Sequence, residues 1–222
     1  MATTFEGIFT VPSHPHFDAT HMEYIDGQVN NSATLVPNLK NNRSDNTLTN
    51  PVTVQEITNS LKLTKNSSSP GLDGVTYIHL KHLPAAALFT LAKFFTVLIM
   101  VGYFPAHWKV AKTILIPKAG KSPLNPNNYR PISLLSCVGK LFERVVGNRL
   151  RGHLEDNAIL SDTQYGFRAG KSTFCPIFNL TEDIKLGFKR KLNTLAVFLD
   201  AEKAFDQTWH NGLKYKLLHL VP

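Results

Sequence analysis

Hydrophobic and polar positions follow different periods along the chain, and those periods divide it into elements. Residues 54–63 place apolar side chains at Val54, Ile57 and Leu61, a helical spacing, with Thr53 as N-cap and Glu56 three residues on in a capping-box pattern. Residues 83–103 are long and apolar, with Thr90, Lys93 and Thr96 at three-residue spacing along one polar face, and Gly102 and Pro105 close the helix they predict. Residues 109–117 alternate and predict a strand, whereas 117–131 carry four prolines and Gly120 and predict a loop. Ser136 caps a helix whose apolar face is Val138, Leu141, Phe142, Val145, Val146, Leu150 and Leu154, opposite a basic face of Lys140, Arg144 and Arg151. After an irregular stretch at 156–171, Ser172 or Thr173 starts a helix with Ile177, Leu180 and Ile184 on one side. Pro176 falls in its first turn, where proline is tolerated. The short apolar run 195–199 reads as a buried strand that delivers Asp200 at its end. A final helix then carries Leu213, Leu217 and Leu220. Residues 1–50 are rich in Asn, Thr and Ser and predict a mostly irregular lead-in with short helical pieces, and 65–74 predict a loop. Helices mixed with few strands predict an α+β fold, without internal repeats.

Composition sharpens this picture in one respect, the distribution of charge. The chain has 222 residues, 43% hydrophobic and 18% charged, which marks it as globular. Residues 1–60 hold two basic and six acidic side chains, net −4, and the remainder holds 22 basic and 10 acidic, net +12, giving the overall +8. A basic body suits a polyanionic partner, because neutralising phosphates supplies affinity independent of sequence. Cys137 and Cys175 lie far apart without a Cys-x-x-Cys spacing, which argues against a zinc site and a disulfide framework. The N-terminus lacks the basic-then-apolar pattern of a secretory signal, and Lys93 would sit at the centre of the one candidate membrane span. The expectation is an intracellular protein, nuclear or cytoplasmic, with no membrane partner and an oligomeric state the sequence leaves open.

The richest chemistry lies in residues 196–210. A carboxylate at the end of a buried strand, as Asp200 is predicted to be, can hold a divalent metal on rigid backbone. The alternative is a strand-end aspartate that caps the following helix. Two glycine-rich stretches imitate phosphate-binding loops and fail on spacing. Gly166 and Gly170 before Lys171-Ser172 enclose three residues where four are required, and Gly120-Lys121-Ser122 lacks the first glycine because position 115 is Leu.

Upstream stand Ser69-Pro70-Gly71-Leu72-Asp73-Gly74, then TILIPKAGK (113–121), NYRPISLLS (128–136) and QYGFRAGKST (164–173), all before FLDAEKAFD. In that order, from about Val52 onward, the series resembles the reverse transcriptases of non-LTR (LINE-type) retrotransposons, most closely the jockey-like elements. The resemblance implies the fingers and part of the palm of a right-hand polymerase, with fingers over 51–190 and the start of the palm over 191–222. It implies RNA-directed DNA polymerase chemistry: nucleotidyl transfer by two magnesium ions, with manganese as a substitute, on an RNA template, a DNA primer and dNTPs. By the same resemblance Asp200 is the first metal-binding aspartate, and the backbone carbonyl of Ala201 completes its ligand set. Lys118 and Arg130 hold the triphosphate. Phe205 lies under the incoming sugar, although its plain role would be core packing. Gln164, Arg168 and Lys171 face template and primer, and Asp206 orders the turn by hydrogen bonding. The Asp73-Gly74 pair is read as a turn without chemistry. His210, after Trp209, is read as a helix-start residue.

The sequence also departs from that pattern. It has no Asp-Asp dipeptide, and it stops 22 residues after Asp200, before the second metal-binding motif and the thumb. One carboxylate cannot hold two metals, so the expectation for this polypeptide alone is no polymerase activity. A rival reading is a catalytically inactive retroelement remnant, at most a nucleic-acid-binding fragment.

Overall fold

The computed structural model describes residues 18–39, 47–201, 204–205 and 208–220. Its elements in chain order are α1 (Ala19–Leu39), α2 (Val54–Lys62), α3 (Tyr77–Lys81), α4 (Ala85–Val101), β1 (Lys112–Pro117), β2 (Tyr129–Leu134), α5 (Cys137–Asp156), α6 (Phe174–Lys189) and α7 (His210–Leu220). Among the described residues no helix is long and apolar enough to cross a membrane. Helices with one small antiparallel sheet agree with the α+β expectation.

The core forms where α2, α3, α4 and α5 bring their apolar stripes together. Ile57, Leu61, Leu80, Ala92, Phe95, Leu98, Leu141 and Val145 are all buried there. An aromatic cluster fills the middle: the Phe95 and Phe142 rings lie 5.1 Å apart in an edge-to-face arrangement, and Trp108 stands edge-on to Phe95 and Phe104. The capping box on α2 is present, with Glu56 N–H donating to Thr53 Oγ1 at 3.2 Å and Thr53 N–H donating to Glu56 at 2.8 Å. Thr96, on the predicted polar face of α4, is half-buried and accepts from Val52 N–H at 2.8 Å while donating to the Ala92 carbonyl. Gly102 ends α4 in the left-handed region at φ 65°, as its position predicts. Ser136 caps α5 by accepting from Gly139 N–H.

Arg149 on α5 organises the chain entering this core. Its guanidinium forks onto Glu56 at 2.7 and 3.0 Å and also donates to the carbonyls of Leu48, Asn50 and Pro51. The loop at 65–74 is fixed differently. Gly71 lies so close to α5 that an added Cβ would stand 2.6 Å from Ser136 N and 2.7 Å from Leu135 C. Asp73 accepts from Val75 N–H and Gly74 adopts φ 67°, so this pair is a turn, as read from the sequence.

Three expectations are corrected. Residues 19–39 form a continuous helix where an irregular lead-in is expected. Asp18 caps it by accepting from Thr20 N–H at 2.9 Å, and Met22, Ile25, Asp26 and Val29 recur at helical spacing on its covered side. Residues 129–131, read as the end of a proline-rich loop over 117–131, instead begin a strand, 129–134, that pairs with β1 from Lys112↔Leu134 to Pro117↔Tyr129. Pro131 is accommodated because each strand of a two-stranded ribbon has an outer edge that needs no donor. The run 195–199 is irregular and exposed, with Leu195 at 89%, Phe198 at 83% and Leu199 at 93% of full exposure. A lone strand has no stability without a ladder partner, and the two strands among the described residues are paired with each other.

Candidate functional site

The β1–β2 hairpin carries the first pair of candidate residues. Arg130 lies directly across from Ile116 in the ladder, and Lys118 follows β1 at the same end. The main chain of Lys118 extends the pairing by donating to the Asn128 carbonyl at 2.7 Å, and its ammonium donates to the Asn127 carbonyl at 2.8 Å. Asn125, Asn128 and Tyr129 close the intervening loop through hydrogen bonds to Asn127 N–H, the Ser122 carbonyl and the Pro123 carbonyl. The outcome is a braced ribbon end with two cations on it. The Arg130 side chain is exposed and makes no hydrogen bond or ion pair among the described residues. A planar guanidinium left free on a rigid strand suits an incoming phosphate.

The loop before α6 carries the second group. Arg168, expected to face template and primer, instead turns its guanidinium inward. It binds Glu155 of α5 through two parallel bonds of 2.9 and 2.5 Å and donates to the carbonyls of Ser161 and Gln164. The guanidinium beside Glu155 holds that carboxyl below the usual range, and Glu155 in turn keeps Arg168 firmly charged. Arg168 therefore shapes the loop. Gln164 and Lys171 remain exposed on it, with the Lys171 ammonium 5.6 Å from the centre of the Tyr165 ring.

Asp200 and Ala201 are exposed on the irregular segment after α6. Phe205 is 79% exposed and meets Phe167 edge-to-face, ring centres 6.0 Å apart. This pair joins the 164–171 loop to the Asp200 segment. Phe167 was not singled out by sequence, although an aromatic side chain between Gly166 and Arg168 in a polar loop was a visible signal. It holds φ 62°, an uncommon conformation for a non-glycine residue, of the kind that gathers at functional loops. Asp206 lies outside the described residues.

Among the described residues no hydrogen bond, ion pair or ring contact joins the hairpin to Asp200, and no three His, Cys, Asp or Glu side chains come close enough to hold a metal ion. These residues do not by themselves fit a two-metal centre.

Comparison with known proteins supplies the remaining evidence. Residues 116–221 match the family described as reverse transcriptase (RNA-dependent DNA polymerase). The chain is 42% identical over 172 residues to a probable RNA-directed DNA polymerase from transposon BS of Drosophila melanogaster, an alignment covering 78% of this chain and 19% of that protein. It is 36% identical over 157 residues to the probable RNA-directed DNA polymerase from transposon X-element of the same species, covering 71% and 17%. It is also 36% identical over 171 residues to the RNA-directed DNA polymerase from mobile element jockey of that species, covering 77% and 19%. The chain thus spans about a fifth of the length of these relatives.

Proposed function

We propose, from the premise that the chain belongs to the reverse transcriptases of non-LTR (LINE-type) transposons, that it supplies nucleotide-binding and primer-positioning parts to RNA-directed DNA synthesis. The observation that carries this reading is the braced end of the hairpin with Lys118 and the free Arg130, both inside the segment that matches the family. In this reading the pair grips the triphosphate of a dNTP, Lys as a point charge and Arg as a fork. Phe205, braced by Phe167, lies under the sugar and disfavours a 2′-hydroxyl. Gln164 and Lys171 face the template and primer, and Arg168 holds their loop in shape through Glu155.

The family generally uses divalent metals, which stabilise the attacking and leaving oxygens when bound. We assign the Asp200 carboxylate and the Ala201 carbonyl as this segment's ligands for magnesium, with manganese as a substitute. Asp206, by its place in the sequence, orders the turn beside them. In this reading 51–190 are fingers and 191–222 begin the palm. RNA template, DNA primer and dNTPs are the partners, and the site of action is intracellular.

The test is titration of dTTP, with magnesium present, into the chain and its variants. Arg130→Ala and Lys118→Ala should each weaken binding by about tenfold, the loss of one charge-assisted contact. Unchanged affinity in both would sink the assignment. A second reading, nucleic-acid binding without catalysis, draws on the net +12 of residues 61–222. Affinity for an RNA–DNA hybrid that falls steeply with salt, with no incorporation by the polypeptide carrying Asp200, would favour it.

A further inference from the structure

Helices α1 and α7 stand 185 positions apart at their point of contact and pack on each other. Asn211 donates from its side-chain amide to Asp26 Oδ1 at 2.8 Å. Burial and the neighbouring Tyr24 push the Tyr215 hydroxyl above its ordinary value, and the rings of His21 and Trp209 meet edge-on, 6.4 Å between centres. Ile25, between these polar contacts, is only 3% exposed. At its other end α7 is held by α5, where His153 Nε2 donates to the Leu220 carbonyl at 3.2 Å.

The buried core behaves differently. Among the described residues it draws on Val52 to Val145 and includes no side chain of α1 or α7. Among the described residues the α1–α7 pair is therefore a contact apart from that core. Between α6 and α7 runs the segment with Asp200 and Phe205, irregular over its described residues, whose far end is α7 itself.

We propose that α1 is a clasp on α7: it seats the C-terminal helix and so fixes the far end of the segment bearing Asp200 and Phe205. Release of α1 frees that segment while the core stays folded. This rests on packing geometry, and it stands or falls separately from the polymerase reading.

Native-state hydrogen–deuterium exchange on the full chain tests it. Ile25→Asp puts a carboxylate into the clasp, and Asp26→Ala removes one hydrogen bond with little risk to folding. Glu23→Ala, an exposed position of α1, is the control. We expect amides of α7 to exchange roughly tenfold faster or more in Ile25→Asp, and by a smaller factor in Asp26→Ala, with α4 and α5 unchanged. Exchange of α7 that is the same in Ile25→Asp as in the unaltered chain would overturn the clasp. So would acceleration spread equally through α4 and α5, because α1 would then belong to the global folding unit.

Discussion

At the scale of single residues, two glycines of the same chain make opposite predictions. Gly71 presses on the backbone of Leu135 and Ser136, where an added methyl has no flexible neighbour to displace. Gly147 lies inside α5 with open space around its absent Cβ. Gly71→Ala should destabilise the protein by about 1–3 kcal/mol through overpacking. Gly147→Ala should stabilise it by roughly 0.5–1 kcal/mol through helix propensity. Urea denaturation of both variants checks the pair, and the same sign in both would contradict the packing of the 65–74 loop on α5. Phe95, fully buried at the centre of the aromatic cluster, should cost about 3–5 kcal/mol as Phe95→Ala in the same assay.

At the scale of elements, the fork of Arg149 on Glu56 ties the entry of α2 to α5 and satisfies the carbonyls of Leu48, Asn50 and Pro51 at once. Arg149→Met should lose about 2 kcal/mol, in the range for hydrogen bonds to charged groups. Arg149→Lys should recover little of it, lacking the fork. The pH dependence follows from Glu56, whose carboxyl is held below its ordinary value chiefly by the Arg149 hydrogen bonds. A depressed carboxylate contributes stability that is fully present above its unfolded pKa, about 4.3, and is lost as pH falls through the folded value. Thermal unfolding between about pH 5 and 3 should therefore fall less steeply in Glu56→Gln than in the unaltered chain; equal slopes would remove Glu56 from the acid response. The capping box at Thr53 and Glu56, the Gly102 stop, the Ser136 cap and the apolar face of α5 were all legible in the sequence, because each is a local pattern of period or spacing. Arg149 was not, because its partners lie 93 to 101 positions away and nothing local distinguishes it from other basic residues of α5. The start of β2 at 129–131 was not legible because Pro131 masks a strand whose tolerance for proline depends on being an edge. Helix α1 was hidden by polar composition, the apolar stripe of its described side chains being Met22, Ile25 and Val29. In the candidate site, the residue types of the hairpin were legible and the inward turn of Arg168 was not, since Glu155 precedes it by thirteen positions across an irregular stretch.

At the scale of the whole molecule, stability is distributed unevenly, and this decides where the chain opens. The buried cluster runs from Val52 to Val145, whereas α6 and α7 hold no buried residue. Between those two helices, Leu195, Val197, Phe198 and Leu199 are all exposed without hydrogen-bonded structure. Segments with few buried contacts open at low free energy, and an open chain is what a protease cuts. Limited chymotrypsin digestion should cleave first at Phe198 or Leu199, and the core should keep its cooperative thermal transition after that cut. A first cut inside α4 or α5, or loss of the transition with the first cut, would show that the two regions unfold as one. The same exposure carries a second consequence. Five consecutive apolar residues at 195–199 combine β-propensity with no charge, a pattern that pairs between chains when nothing within the chain covers it. Phe198→Lys interrupts that run with a charge at a position that touches no part of the core. It should lower the aggregated fraction, measured by light scattering at rising concentration, while leaving the melting temperature within about 1 °C, as expected for an exposed site. Equal scattering from both proteins would direct attention to the exposed face of α4, where Phe89, Val97 and Met100 stand at helical spacing.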